Sequence, residues 1–300
     1  MNIVFMGTPD FAVPSLKILH ESSEKILSIV TAPDKERGRG QKVSYTPVKK
    51  YAIEKNIPLL QPFSLKDPLF IEKLKSINAD LFIVVAFKIL PPEVFRLPLK
   101  GSFNLHASLL PKYRGAAPIQ WALINGEKET GVTTFSLEEK VDTGNIYLQE
   151  KIEISDEDNF GSLHDKLSLL GASVVKKTVD LIKSGNVILK EQDNAISTPA
   201  PKITKETGKI DWLKPAEEIK NLVRGLSPYP GAFFNFKDKL IKVFKAEVVN
   251  EKLNPGEISE SRDHLVIGCG KNSLKILELQ QEGRKIMHTE EFLRGFSFKN

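Results

Sequence analysis

Apolar positions in the first half of the chain fall into short unbroken runs separated by amphipathic stretches. Residues 2–6 (Asn-Ile-Val-Phe-Met) have the length and composition of a strand, followed by the turn Gly7-Thr8-Pro9-Asp10 and a helix from about residue 11 to 21. Residues 26–31 read as the next strand. The run at 81–87 (Leu-Phe-Ile-Val-Val-Ala-Phe) is apolar at every position, as expected of a strand buried on both faces of a parallel sheet. Strands alternating with helices predict an α/β protein with a Rossmann-like open sheet.

The pattern changes after Gly131. Residues 132–137 and 146–154 read as paired strands around a polar loop at 138–144. Ser162 and Asp165 are spaced as a capping box for a helix whose Leu163, Leu167, Leu170, Val174 and Leu181 share one face, ending near Ser184-Gly185-Asn186. Residues 190–207 are polar, carry Pro199 and Pro201 and show no period, so they predict a linker. Short β-rich segments at 231–236, 239–248, 264–268 and 274–280 then predict a small β-barrel of the OB-like kind. The expected division is a catalytic domain at 1–189, a linker at 190–207 and a β-barrel domain at 208–300. Trp212, Tyr229 and Phe233 are expected as core or interface aromatics.

Composition narrows the class. The 41% hydrophobic and 27% charged content is that of a globular protein. A single cysteine, Cys269, excludes an intramolecular disulfide and a cysteine-rich zinc site, and no His/Cys/carboxylate spacing suggests another metal. The longest apolar run is too short for a bilayer and the opening strand has no basic leader, so the expectation is a cytoplasmic protein without a membrane partner. The net charge of +5 permits a polyanionic partner, and residues 201–300 hold 18 basic against 14 acidic side chains.

Candidate chemistry concentrates at residues 101–118. Asn104 and His106 are two apart at a strand end, so an amide and a titratable ring point to one side. The following Ala-Ser-Leu-Leu-Pro-Lys-Tyr-Arg-Gly-Ala-Ala-Pro stretch occupies the loop beyond that strand, where open α/β sheets bind ligands. Gly7-Thr8-Pro9-Asp10 lacks the glycine spacing of a dinucleotide site, and no Gly-x-Ser-x-Gly elbow is present. Asp142, in Val-Asp-Thr-Gly, reads either as a turn residue or as a catalytic carboxylate.

These motifs, together with Phe5-Met6-Gly7-Thr8-Pro9-Asp10-Phe11, Gly208-Lys209-Ile210-Asp211-Trp212 and Pro228-Tyr229-Pro230-Gly231, resemble the 10-formyltetrahydrofolate-dependent formyltransferases over nearly the whole chain. Residues 108–118 resemble the branch that formylates methionyl initiator tRNA. The resemblance implies 10-formyltetrahydrofolate as formyl donor, no metal, and Asn104, His106 and Asp142 as catalytic residues. It also implies folate contacts at Ser108, Leu109, Leu110 and Pro111. Where the family often has Ala-Tyr-Gly, this chain has Ala86-Phe87-Lys88 before Ile-Leu-Pro, which alters one wall of the expected folate pocket.

The basic stretch containing Lys35, Arg37, Arg39, Lys42, Lys49 and Lys50 reads as a surface loop attractive to phosphates. The resemblance turns Arg37, Arg39 and Lys42 into expected tRNA contacts of a monomeric enzyme. Other acceptors, such as an amino sugar nucleotide or glycinamide ribonucleotide, and a purely RNA-binding role remain alternatives on sequence alone.

Overall fold

The computed structural model of the protein describes residues 1–37 and 42–299. The chain forms two compact units, one from Met1–Gly115, Gly131–Ile152 and His164–Pro199, the other from Ala116–Thr130, Glu153–Leu163 and Ala200–Asn300.

Strands before residue 201 are β1 (Asn2–Gly7), β2 (Lys25–Val30), β3 (Lys35–Arg37), β4 (Lys42–Ser44), β5 (Leu59–Leu60), β6 (Leu81–Val85), β7 (Ser102–His106), β8 (Arg114–Gly115), β9 (Glu129–Ser136), β10 (Ile146–Glu153) and β11 (Pro199–Ala200). The first unit is organised by a seven-stranded sheet of order β10-β9-β7-β6-β1-β2-β5. From β5 to β7 the strands pair in parallel, and β9 joins β7 antiparallel. The chain builds outward from β1 to β5, then returns to the other side of β1 with β6 and β7. The carboxyl ends of β1 and β6 thus flank a topological switch point, the place where such sheets accept ligands.

Alternation of side chains explains how one sheet serves two cores. Val4, Met6, Phe82 and Val84 enter a cluster with Phe70, Leu74, Val94 and Phe95, residues supplied by α3 (Pro68–Ile77) and α4 (Pro92–Phe95). Ile3, Phe5 and Ile83, fully buried, alternate to the other face. The helix expected at 11–21 is a short 3-10 turn, Asp10–Ala12, continued by α1 (Val13–His20). Thr46 caps α2 (Pro47–Glu54), its hydroxyl accepting the Lys49 amide at 3.0 Å.

The 162–165 capping box is corrected. The helix begins three residues earlier, and Asn159 and Ser162 cap it reciprocally, each side chain accepting the other's amide at 3.0 and 3.1 Å. Asp165 instead accepts from the His164 ring at 2.9 Å. With α5 (Pro118–Ile124) preceding it, this helix is α6 (Phe160–Ser184), and it buries Leu163, Leu167 and Val174.

The second unit holds an antiparallel sheet made of β12 (Ala232–Phe236), β13 (Lys239–Val249), β14 (Ile258–Glu260), β15 (Leu265–Gly268), β16 (Ser273–Gln281) and β17 (Met287–His288). The order is β12-β13-β16-β15-β14, with β17 on β16. Ile241, Val243, Leu265, Ile267, Leu274, Ile276 and Leu279 pack there with Ile219 and Val223 of α7 (Ala216–Gly225) and Phe292 of α8 (Thr289–Leu293). Trp212 packs edge-on against Phe234 with centroids 5.4 Å apart, and Phe233 is buried. Tyr229 is exposed and so is not a core aromatic.

Candidate active site

β7 carries Asn104 and His106 toward its carboxyl end, between β6 and β9. Asn104 stands opposite Val84 and Phe135, and His106 opposite Thr133. Two residues apart on one strand, both side chains leave the same face. His106 is buried, and Phe135 meets its ring edge-on at 6.5 Å.

Hydrogen bonding fixes what each ring nitrogen can do. His106 Nε2 lies 2.8 Å from the Tyr113 carbonyl, which can only accept, so Nε2 bears a proton and donates. Nδ1 is left as the nitrogen that gains or loses a proton, and it faces Asp142 Oδ2 at 3.9 Å. That separation exceeds a direct hydrogen bond, yet one small polar atom between the groups can bond to both. Asp142 Oδ2 also accepts the Gly115 amide at 2.9 Å.

Asn104 is one of two exceptions to the pairing of buried side-chain polar atoms among the described residues. Its Oδ1 is buried without a hydrogen-bond partner. An unpaired buried amide oxygen typically costs ~1–3 kcal/mol, so its persistence beside a titratable pair marks a place for a ligand group. Rotation of the amide presents NH2 in the same place.

The loop after β7 is shaped by its own polar contacts. Ser108, fully buried, donates its hydroxyl to the Lys112 carbonyl at 2.6 Å. Thr133 donates to the Ser108 carbonyl at 2.7 Å and accepts the Leu110 amide at 3.1 Å, while Gln149 donates to the Leu110 carbonyl at 2.8 Å. The Ser108 hydroxyl is therefore already committed to holding the loop, and Leu109 and Pro111 are the half-buried members of the run.

The Asp142 loop is held equally tightly. Asp142 adopts φ +57°, a left-handed conformation that Asp tolerates better than bulky side chains. A Cβ on Gly144 would fall 1.8 Å from the Ser136 carbonyl oxygen, so only glycine allows this approach. Gln192 reaches in from the stretch expected as a linker. Its Nε2 donates to the carbonyls of Asp142 and Gly144 at 3.0 and 2.8 Å, and its Oε1 accepts from Arg114 Nη2 at 2.7 Å. The sequence marks this residue only as a polar side chain in a polar segment that runs on to Pro199 and Pro201.

Among the expected nucleic-acid contacts, Arg39 lies outside the described residues. Arg37 and Lys42 pair through their backbones at the ends of β3 and β4, and their side chains also lie outside the description. Lys49 is not a free cation: it pairs with Asp34 and lies 4.0 Å over the Tyr45 ring. Hydrogen bonds from Lys49 and Gln61 hold the Asp34 carboxyl below its ordinary range. Burial pushes the Cys269 thiol up to about 11, which makes it a poor nucleophile. Among the described residues no His/Cys/Asp/Glu group is arranged to hold a metal, and no helix is long and apolar enough to cross a membrane.

The mixed sheet, its carboxyl-edge polar trio and the folded-back loops are those of a group-transfer enzyme. The Formyl transferase family model matches residues 1–179 and the Formyl transferase C-terminal domain model matches 202–297, so the chain belongs to the formyl transferase family. Within that family the chain is similar to curated methionyl-tRNA formyltransferases. That of Caldanaerobacter subterraneus subsp. tengcongensis is 51% identical over 98% of this chain and 97% of its own, and that of Thermodesulfovibrio yellowstonii 50% over 98% and 96%. An N-formyltransferase from Helicobacter canadensis, solved with folinic acid and dTDP-3-aminofucose, shares the fold at TM-score 0.70 and 22% identity, covering 91% of this chain and 97% of that one.

Proposed function

We propose that the protein transfers the formyl group of 10-formyltetrahydrofolate to the amino group of methionyl initiator tRNA, for translation initiation. The observation that carries this reading is the unpaired, buried Asn104 Oδ1 on the strand face it shares with His106, whose ring faces Asp142. Identity of 50–51% to methionyl-tRNA formyltransferases over nearly the full chain supports the acceptor.

In this reading the neutral methionyl amine attacks the formyl carbon, forming a C–N bond and placing negative charge on the formyl oxygen. The Asn104 NH2 and His106 stabilise that oxygen, a contribution of roughly 3 kcal/mol for one well-placed donor. Asp142, paired with His106 Nδ1, takes the proton lost by the attacking nitrogen. Collapse breaks the bond to folate N10, which receives a proton, so none is consumed overall. The attacking amine is itself the nucleophile, and no enzyme side chain forms a covalent bond. Leu109, Leu110 and Pro111 present the loop to the folate, with Ser108 holding its shape.

The same reading assigns residues 1–189 to catalysis and 208–300, as an OB-like barrel, to the acceptor arm of the tRNA. Arg37, Arg39 and Lys42 are its tRNA contacts, and the enzyme acts as a cytoplasmic monomer. The direct test is formyl transfer from 10-formyltetrahydrofolate to methionyl initiator tRNA, with methionyl elongator tRNA and His106→Ala as controls. Initiator-selective transfer that collapses in the variant is expected. Folate binding without transfer to tRNA would overturn the acceptor assignment in favour of a small amine.

A further inference from the structure

Asp142 is the least independently anchored member of the catalytic trio. Asn104 and His106 sit in a strand paired on both sides, whereas Asp142 sits in a loop with φ +57°. The Gly115 amide donates to its carboxylate, which fixes the side chain and leaves the backbone to be held from outside the loop.

That role falls to Gln192, which is 4% exposed and uses both ends of its amide. The NH2 spans the carbonyls of residues 142 and 144, two main-chain acceptors that flank Thr143. The amide oxygen takes Arg114 Nε at 3.2 Å and Nη2 at 2.7 Å. Only a primary amide in this orientation serves two carbonyls at one end and a guanidinium at the other.

The same segment also reaches the histidine. Thr198 Oγ1 accepts the Tyr113 amide at 2.9 Å, and the Thr198 carbonyl accepts the Arg114 amide at 2.9 Å. Tyr113 is the residue whose carbonyl binds His106 Nε2. Residues 192–198 therefore touch the supports of both members of the pair, at Gln192 for Asp142 and at Thr198 for His106.

We propose that Gln192 is a positioning residue for Asp142, clamping the 142–144 loop so that the carboxylate stays beside His106 Nδ1. The proposal rests on the catalytic role assigned to Asp142 above. A displacement of about 1 Å in a reacting group can cost on the order of a hundredfold in rate, so loss of the clamp acts on turnover more than on binding.

The test compares the full-length protein with Gln192→Met, which keeps length and removes every hydrogen bond, and Gln192→Glu, which keeps an acceptor for Arg114 but has no donor for the two carbonyls. Each is expected to lower kcat about 10–100-fold, with KM for folate and tRNA within about threefold. In an Asp142→Asn background, adding Gln192→Met is expected to change kcat less than about twofold, because the clamp acts through a carboxylate already gone. Thr198→Val, which releases Tyr113 instead, is expected to remain additive with Gln192→Met within about twofold.

Hydrogen exchange of the 142–145 amides supplies a readout that needs no turnover. Faster exchange at those amides in Gln192→Met is expected, exceeding the general rise that accompanies the lower melting temperature left by the unpaired carbonyls. Wild-type kcat in Gln192→Met, full rescue by Glu, an equal loss in the Asp142→Asn background, or unaltered loop exchange would each overturn the proposal. Failure of the wild type to formylate tRNA would instead count against the acceptor, while loop exchange still decides the clamp.

Discussion

The two units bury different things. The second unit's sheet encloses hydrocarbon side chains and the Cys269 thiol, and its buried Ser273 and Thr289 hydroxyls each donate to one main-chain carbonyl, those of Glu251 and Ile276. The first buries His106, Ser108, Thr133, Thr134 and Gln192 around the carboxyl end of β7, joined by hydrogen bonds. Polar groups removed from water lower stability unless paired, and a half-satisfied network is worse than an apolar core. Among the described residues the first unit leaves two buried side-chain atoms unpaired, Ser15 Oγ and Asn104 Oδ1, and only the second shares a strand face with His106.

The sharpest way to break this contrast is to alter charge without shape in the polar region. Asp142→Asn is expected to lower formyl-transfer kcat about 10²–10⁴-fold, the range for loss of a proton-transfer group, with little change in melting temperature. Steady-state kinetics alongside thermal unfolding measure both. A change confined to stability would remove the distinction between the units.

The reverse experiment damages hydrocarbon packing. Leu274→Ala, at a fully buried position of β16, is expected to destabilise the second unit by about 2–5 kcal/mol. Both tryptophans, Trp121 and Trp212, belong to that unit, so intrinsic fluorescence during denaturation reports it selectively. An unshifted fluorescence midpoint would show that this core does not carry the unit's stability.

A smaller effect separates polar burial for function from polar burial for stability. Glu24 is enclosed against the Met1 amine and Lys183, the latter at 2.7 Å. Burial alone would raise its pKa, but hydrogen bonds from Lys183 and the amine outweigh that and lower it below 4.5. The folded state therefore holds the ionised form more strongly than the unfolded chain. Its stabilisation is complete above the unfolded value near 4.5 and drains away as pH falls through the lower folded value. Glu24→Gln is expected to reduce stability at pH 7 and to flatten the acid limb of the stability curve. Parallel acid limbs for the two proteins would show that the pair contributes nothing.

What could be read from the sequence follows from how local each feature is. The apolar run of β6 is visible because both faces of a central parallel strand exclude water. Asn104 and His106 fall together by strand period alone, and the Asp-Thr-Gly turn around Asp142 is encoded by residues adjacent to it. Gln192 is 50 residues from Asp142, and nothing in its neighbours distinguishes a buried clamp from a solvated linker. The start of α6 is ambiguous in sequence because Ser162 fits two capping patterns, and Asn159 competes for the same first turn. α7 gives a weak sequence signal because its apolar face is carried by a few residues, Ile219 and Val223, within a charged stretch. Lys49 looked like a free charge because Asp34, its partner, lies in an earlier turn.

The interleaving of the two units has a consequence for the order in which the polypeptide emerges during synthesis. α5 buries Ile119, Ala122 and Leu123 and packs against α7 within the second unit, where Gly225 lies so close that an added Cβ would come 2.7 Å from Ile124. Roughly 100 residues separate the two helices, and at roughly 5–20 residues per second α5 waits roughly 5–20 s on the ribosome before α7 exists. Its apolar face must spend that interval in a nascent chain without its final neighbour, so the last third of translation closes a surface that was opened in the middle third.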